Sequence, residues 1–319
     1  SFHDYMNIMS KNIPTIIIAG PTASGKTKLS IELAKKIRGE IINADIMQMY
    51  KGFEILKAVP SKEEKSDVKH HLFGIINNDT KFTVANWIKL AQEKIYEIHK
   101  KQKIPILVGG TGMYLNAALE GLAEIPPISK INKEKAVNYF NKKGFDYIFK
   151  KLLKIDENFK IEKNDRQRLI RAYEVYLQTG KSIKWWQSNL KSEPIIKNSL
   201  KVIISPPREE LYSCIDKRVD IMLEKGLIEE ANKEMLNIIS FDFPSMKAIG
   251  IKFLYQYINN EINLDNAVYL IKKESRRYAK RQSTWFRNSF SYDLNYNKLY
   301  TGDINFLNKA VKALNLLYT

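Results

Sequence analysis

Lys26 and Thr27 close the segment Gly20-Pro-Thr-Ala-Ser-Gly-Lys-Thr27, which fits the pattern G-x-x-x-x-G-K-[ST] at every fixed position. In such a loop successive backbone N–H groups converge on a diphosphate, the lysine reaches a terminal phosphate, and the last hydroxyl can hold Mg²⁺. Gly20, Pro21, Thr22, Ala23, Ser24, Gly25, Lys26 and Thr27 are therefore the candidate diphosphate or nucleotide loop, with Thr27 the candidate Mg²⁺ ligand. Asp45 is a carboxylate placed just after an apolar run, and it can serve as a general base, as an outer ligand of Mg²⁺ or as a helix cap. P-loop ATPases and GTPases end a buried strand in an acid that helps to hold Mg²⁺. Here the corresponding run is Leu107-Val-Gly-Gly-Thr111, which has no carboxylate and offers N–H groups and a hydroxyl to an anion instead.

Several elements must position these groups. Thr15-Ile-Ile-Ile-Ala19 is a short apolar run that reads as a buried strand, and Leu29, Leu33 and Ile37 recur after the loop at helical spacing. Strand, glycine turn and helix in that order aim the positive helix N-terminus at the anion. Glu40-Ile-Ile-Asn-Ala44, Ile104-Pro-Ile-Leu-Val108 and Lys201-Val-Ile-Ile204 read as further strands, with helices over 82–101 and 113–119 between them. This alternation predicts an α/β fold with a parallel sheet, whose ligand crevice lies at the carboxyl ends of the strands. On the helix expected over 208–225, Arg218 sits at the centre of a stripe made by Leu211, Ile215 and Met222. An inward guanidinium needs an anion. A core carboxylate would serve, but the phosphate loop favours a bound diphosphate.

The 319 residues carry a formal charge of +17, far more than one small phosphorylated ligand requires. Cations in such excess suit a phosphate backbone, where each contact releases counterions. The sharpest concentration is on the helix expected over 269–288. There Lys272, Arg276 and Lys280 form one row, Lys273, Arg277 and Arg281 form the next, and Glu274 is the only acid. Solvated helix faces usually interleave Glu with Lys, so this face is expected to meet nucleic acid. A hydrophobic share of 44% and no apolar run of membrane-spanning length argue for a globular protein without membrane association. The lone Cys214 excludes an internal disulfide and points to a reducing cytoplasm. Residues 1–11 carry no secretory signal and read as a leader or expression scar, with Met6 or Met9 as the native start.

Between Pro126-Pro127 and Lys201 the strand signals stop and the chain becomes helical, rich in Lys and aromatics. The expected organisation is a P-loop core over 1–125 and 196–319 with a helical insertion over 126–195. In the insertion, Asn164 or Asp165 can cap a helix that begins at Arg166 and ends at Gly180, with Arg168 and Arg171 one turn apart. Trp185-Trp186, flanked by Lys181 and Lys184, suits either stacked bases or a small core.

Read together, Gly20–Thr27, Asn43-Ala-Asp45 with Gln48-Met-Tyr-Lys-Gly52, and Val108-Gly-Gly-Thr-Gly-Met-Tyr114 resemble the bacterial tRNA dimethylallyltransferases. So do Asn164-Asp-Arg-Gln-Arg-Leu-Ile-Arg171 with Thr179-Gly-Lys181, Ala248-Ile-Gly250 and Lys280-Arg-Gln-Ser-Thr-Trp-Phe-Arg287, in order along nearly the whole chain. The resemblance implies a Mg²⁺-dependent transfer of the dimethylallyl group of dimethylallyl diphosphate to N6 of the adenosine 3′-adjacent to the tRNA anticodon. It implies that the P-loop holds the prenyl donor rather than ATP, with Lys26, Thr27 and Arg218 on the diphosphate and Mg²⁺, Asp45 as general base and Thr111 on the substrate. It places tRNA contacts at Gln167, Arg168, Leu169, Ile170 and Arg171; the expected contacts further include Asp45, Ile46, Met47, Gln48, Thr111, Lys133 and Lys247 and, from the charge pattern, Arg276, Arg277, Lys280 and Arg281. A monomer gripping the anticodon stem-loop through the insertion is expected.

Three departures from the family pattern stand out: Ile46 replaces a common Ser, Ile55-Leu-Lys57 stands where Ile-Gly-Thr is frequent, and Ile251 replaces a common Tyr. They bear on local tRNA contacts rather than on the chemistry. Two other classes use part of the same pattern. A small-molecule P-loop kinase leaves the cationic helix without a use, and a non-catalytic RNA-binding ATPase should show the missing strand-end acid.

Overall fold

The first strand, β1 (Thr15–Ala19), is buried along its whole length, and its side chains alternate between two cores. Ile16 and Ile18 pack on one face with Leu29 and Leu33, while Ile17 and Ala19 pack on the other with Trp87, Ile95 and Phe286. A strand covered on both faces reads as a continuous apolar run, as this one does. The structure is a computed structural model that describes residue 4, residues 12–238 and residues 240–318. The leader expected over 1–11 lies outside the described residues apart from Asp4.

β1 is followed by α1 (Lys26–Ile37), β2 (Gly39–Asn43), the single-turn α2 (Ile46–Met49), α3 (Lys62–Asp67), β3 (His70–His71), α4 (Val84–Lys100), β4 (Ile104–Gly109) and α5 (Gly112–Glu120). Residues 120–194 form a separate compact unit made of α6 (Lys130–Lys143), α7 (Phe145–Ile155), α8 (Arg166–Thr179) and α9 (Ile183–Asn189). The first unit resumes with β5 (Ser199–Ile204), α10 (Arg208–Glu224), α11 (Leu227–Met235), α12 (Ile251–Ile258), α13 (Leu264–Ser289), β6 (Leu294–Tyr296) and α14 (Ile304–Asn315). The six strands are all parallel in the order β3-β2-β4-β1-β5-β6. The fold is the α/β parallel sheet that the alternation predicts.

Two strands escape the apolar-run criterion. β3 is only His70-His71, and it aligns with β2 because the buried Glu40 receives His71 Nε2 at 2.8 Å and the Lys101 ammonium at 3.2 Å. β6 is three residues long and half exposed. The second unit begins six residues before the expected 126 because its entering and leaving segments pair. Leu122 N donates to Ser192 Oγ, Ser192 N to Leu122 O and Glu124 N to Leu190 O. Its own core is Ala136, Ile148, Leu152, Leu169, Ile170 and Tyr173. Within the first unit a third apolar cluster, including Phe53, Leu56, Val219, Met222, Met246, Leu254 and Ile271, joins the 53–58 segment to α10, α12 and α13.

Candidate active site

The phosphate loop sits at the carboxyl end of β1, between that strand and α1, and it is braced from two distant parts of the chain. Gln282 of α13 is buried; its Oε1 accepts from Thr22 N at 2.9 Å and its Nε2 donates to Gly110 O at 3.1 Å. Tyr300 N donates to Ser24 O at 2.9 Å, and the Tyr300 carbonyl lies so close to Gly25 that no Cβ fits there. Gly25 has φ 102°, a left-handed conformation that glycine adopts without strain. It precedes α1 without any side-chain cap, so the first N–H groups of the helix face the loop. Lys26 Nζ donates to Pro21 O at 2.7 Å and Ser24 Oγ to the same carbonyl. Burial pulls the Lys26 pKa from 10.5 down to about 7, partly opposed by Asp45 and reinforced by Arg218.

Asp45 is fixed by Asn43, whose Oδ1 accepts from Asp45 N at 2.9 Å and whose amide donates to the carbonyls of Asp45 and Leu72. The carboxylate caps α2, with Oδ1 accepting from Met47 N at 3.0 Å. Capping does not withdraw it from the cavity described below, which the same carboxylate lines. Burial raises its pKa above the usual carboxylate range, while Lys26, the N–H groups of Met47 and Gln48, and Lys57 oppose the shift. Thr111 Oγ1 receives Ile46 N at 3.4 Å, which brings the ends of β2 and β4 together.

Arg218 donates to Thr22 Oγ1 at 3.1 Å, and among the described residues no carboxylate forms an ion pair with it. The salt bridge considered from the sequence is thus absent, and a guanidinium faces the phosphate loop. The apolar stripe of α10 is Leu211, Ile215, Val219 and Met222, with Arg218 beside it.

A cavity of about 270 Å³ is lined by Thr22, Asp45, Lys57 and Arg218 together with the apolar side chains Leu56, Ile215, Val219, Met222 and Ile271. A wider cleft of about 910 Å³ takes in Lys26 and Thr27 as well. Among the described residues no three His, Cys, Asp or Glu side chains gather as a metal site. The oxygen donors that line the cleft include the Thr27 hydroxyl and the Asp45 carboxylate, with the carboxylates of Glu54 and Glu64 also on its wall. Mg²⁺ keeps several waters and commonly binds through substrate phosphates plus one or two protein oxygens. This donor set fits Mg²⁺ carried on a diphosphate, not a cage built by the protein.

The residues expected to touch RNA divide. In the second unit Lys133, Gln167, Arg168 and Arg171 are exposed. Leu169 and Ile170 are not: both lie in the hydrophobic core of that unit, because two adjacent apolar residues on an amphipathic helix must face inwards. Their expected RNA contact is corrected to a packing role. Asp165, not Asn164, caps α8, accepting from Arg168 N at 3.2 Å, and Gly180 ends it at φ 71°. Trp185 and Trp186 are half-buried, and Trp186 Nε1 donates to Thr179 Oγ1 at 3.1 Å.

In the first unit Gln48 spends its amide on the carbonyls of Lys57 and Ala58, while Ile46, Met47 and Lys247 line the cavity. On α13, Arg277, Lys280 and Arg281 are exposed, but Arg276 pairs with Asp216 at 2.6 Å and Lys272 with Asp220 at 2.8 Å. The charge pattern points to nucleic acid as the partner of all six cations; acids on α10 instead pair with two of them.

The sequence pattern of the IPP transferases matches residues 48–289. The chain belongs to the IPP transferase family. A tRNA dimethylallyltransferase of Pelagibacter ubique is 45% identical over 281 residues, 88% of this chain and 90% of that protein. The crystal structure of the full-length tRNA isopentenylpyrophosphate transferase of Bacillus halodurans is 36% identical, superposes with a TM-score of 0.66 and covers 95% of both chains. A eukaryotic dimethylallyltransferase, described in crystallographic snapshots as acting on tRNA, is 27% identical with a TM-score of 0.77 over 95% of this chain and 79% of that one.

This IPP transferase also contains site residues that pattern reading passed over. Gln282 and Trp285 lie within the quoted 280–287 motif without a role assigned to them. Trp285 packs so tightly on Gly112 that a side chain there would collide with the indole. Tyr278 lines the cavity, and its hydroxyl pKa is raised, by burial first and by Asp45 second. Nothing local marks Tyr300 as a brace of the phosphate loop.

Proposed function

We propose that this IPP transferase moves the dimethylallyl group of dimethylallyl diphosphate to N6 of the adenosine 3′-adjacent to the tRNA anticodon, working as a monomer in the cytoplasm. One observation carries the reading: Thr22 and Ala23 of the phosphate loop, Asp45 and Arg218 line the same cavity as the apolar side chains Leu56, Ile215, Val219, Met222 and Ile271. That shape suits a donor with an anionic head and a short hydrocarbon tail. A nucleotide base would leave the apolar wall unused. The exposed cations Lys133, Arg168 and Arg171 on the insertion, and Lys247, Arg277, Lys280 and Arg281 on the core, supply phosphate contacts for the tRNA. The single cysteine supports a reducing compartment, and no helix among the described residues is long and apolar enough to cross a membrane.

The reaction follows from the placement of charge. The adenine leaves the stack, which a single-stranded loop makes inexpensive. N6 attacks C1 of the donor, the C1–O bond breaks, and the diphosphate departs with the electron pair. Lys26, Arg218 and the N–H groups at the start of α1 receive its growing charge. Asp45 takes the N6 proton as the N6–C1 bond forms, and its raised proton affinity suits it to that task. Mg²⁺, held by the Thr27 hydroxyl, would supply further positive charge to the diphosphate when bound.

Incubation with unmodified tRNA and labelled dimethylallyl diphosphate, with Mg²⁺ and without ATP, tests the reading. Label should enter the tRNA at one adenosine. A requirement for ATP, or its stoichiometric hydrolysis, would return the loop to a nucleotide and revive the kinase reading.

A further inference from the structure

The helices α10 and α13 give the cavity they line a direction. Asp216 meets Arg276 and Asp220 meets Lys272, so the two helices run antiparallel. Towards one end of the pair, Thr22 Oγ1 accepts from Arg218, Thr22 N donates to Gln282 Oε1, and Ile215 packs with Ala23 of the phosphate loop and Ala279. Towards the other end the partners are apolar: Val219, Met222 and Ile271 pack with Leu56 in the third cluster. Residues from both ends line the cavity. An anionic head held at Arg218 therefore has Val219, Met222, Ile271 and Leu56 around its tail.

Leu56 belongs to neither helix, and its backbone is clamped from two sides. Ile55 N donates to Glu230 Oε1 at 2.7 Å and Leu56 N to Glu230 Oε2 at 3.1 Å, while the Gln48 amide donates to the carbonyls of Lys57 and Ala58. Its side chain is seated on Gly250, which precedes α12. Leu56 Cδ1 lies 2.9 Å from the point that a Cβ on Gly250 would occupy, and Ile271 Cγ1 lies 3.5 Å from the same point. Leu56 and Ile271 thus sit side by side over a glycine, and Leu56 fills room that a side chain at 250 would need. Leu56 also falls in Ile55-Leu-Lys57, where Ile-Gly-Thr is frequent, so a bulky side chain stands where the family often has none.

Length decides what this arrangement admits. From Arg218 to Met222, α10 rises about 6 Å. The main chain of a dimethylallyl group has three C–C bonds and reaches about 4 Å, whereas that of a ten-carbon prenyl group has seven and reaches about 9 Å. We infer that Leu56 is a specificity-determining residue: seated on Gly250 beside Ile271, it closes the apolar end of the cavity and confines the donor to a five-carbon allylic diphosphate. The inference rests on the reading of the donor as dimethylallyl diphosphate.

The test is kcat/KM for dimethylallyl diphosphate and geranyl diphosphate at saturating tRNA, with Mg²⁺ and without ATP. Wild type is compared with Leu56→Ala, Leu56→Gly and Leu56→Met, each checked for thermal stability. Wild type should favour the five-carbon donor. One methylene in an apolar pocket changes selectivity by about 10- to 200-fold, so loss of the isobutyl group in Leu56→Ala or Leu56→Gly should raise the ratio of ten-carbon to five-carbon transfer by on the order of 10². Leu56→Met conserves volume and should keep the wild-type ratio. Calorimetric titration with geranyl diphosphate in the absence of tRNA should show tighter binding by the Ala and Gly variants than by wild type. If those two are unstable, Leu56→Val carries the test, with an expected gain of about tenfold. An unchanged ratio in folded variants overturns the inference, as does equal use of both donors by wild type or an equal loss for both donors in the variants. Instability of all three shortened variants would make Leu56 a structural residue and overturn it too. Absence of transfer from either donor by wild type removes the donor reading itself, whereas five-carbon transfer with an unmoved ratio removes only the role of Leu56.

Discussion

At Lys26 a side chain that normally carries a charge at neutral pH is held near its midpoint. With its pKa lowered to about 7, roughly half of the molecules carry the ammonium at pH 7. The unfolded chain binds more protons between about pH 7 and 10.5, so the cost that this residue imposes on folding fades as pH rises through that window. A diphosphate placed on the loop favours the charged form. Donor binding at pH 8 should therefore take up a large fraction of one proton. Calorimetry in buffers of different ionisation enthalpy measures this directly, and Lys26→Arg should abolish the uptake because arginine stays charged. Binding heats that do not depend on the buffer would contradict the lowered pKa.

α13 performs three tasks along its 26 residues. Ala267, Ile271, Ala279 and Phe286 pack inwards, Gln282 and Tyr278 reach the site, and cations cover the remaining face. The ion pairs with Asp216 and Asp220 divide those cations into two groups. Replacing Arg277, Lys280 and Arg281 with Gln should weaken tRNA binding and lower the slope of log affinity against log salt by about two to three, at roughly 0.7 to 0.9 per phosphate contact. Replacing Lys272 with Gln should leave that slope unchanged, since its charge is already matched within the protein. Arg277 also meets Glu274 at 3.0 Å, but an exposed pair of this kind is worth little and exchanges readily for a phosphate. Equal slopes for the triple variant and wild type would move the tRNA track away from this helix.

Over the whole molecule, stability at low pH reports on a residue with no part in the chemistry. His99, in the last turn of α4, is 1% exposed, and neither ring nitrogen finds a partner among the described residues. Burial lowers its pKa from 6.5 to about 4. Between those values the unfolded chain binds more protons, so stability is lost as pH falls from about 6.5 to 4, by as much as about 3 kcal/mol. His99→Leu should remove that part of the acid sensitivity. It should also stabilise the protein at pH 7, by roughly 1 kcal/mol or more, since two unpaired polar atoms leave the core. Urea denaturation at pH 7 and pH 5 checks both parts, and an unchanged difference between the two would exonerate His99.

The phosphate loop, β1, β2, β4, β5, α10 and the cationic face of α13 were legible in the chain because their causes are local. A pattern of eight residues, an apolar run or a helical repeat carries its own physical reason. The family likeness then suggested roles for Asp45 and Thr111 that the residues alone left open. What only the tertiary structure decided rests on partners far apart in sequence. β3 is a strand because Glu40 is buried and draws in His71. Arg276 is neutralised by an acid 60 residues away, and the phosphate loop is held by Gln282, 260 residues from Thr22. Leu169 and Ile170, inside an RNA-like motif, turn into a core that no motif announces. Burial and pairing are properties of what packs against a residue, and a sequence states its neighbours along the chain but not across it.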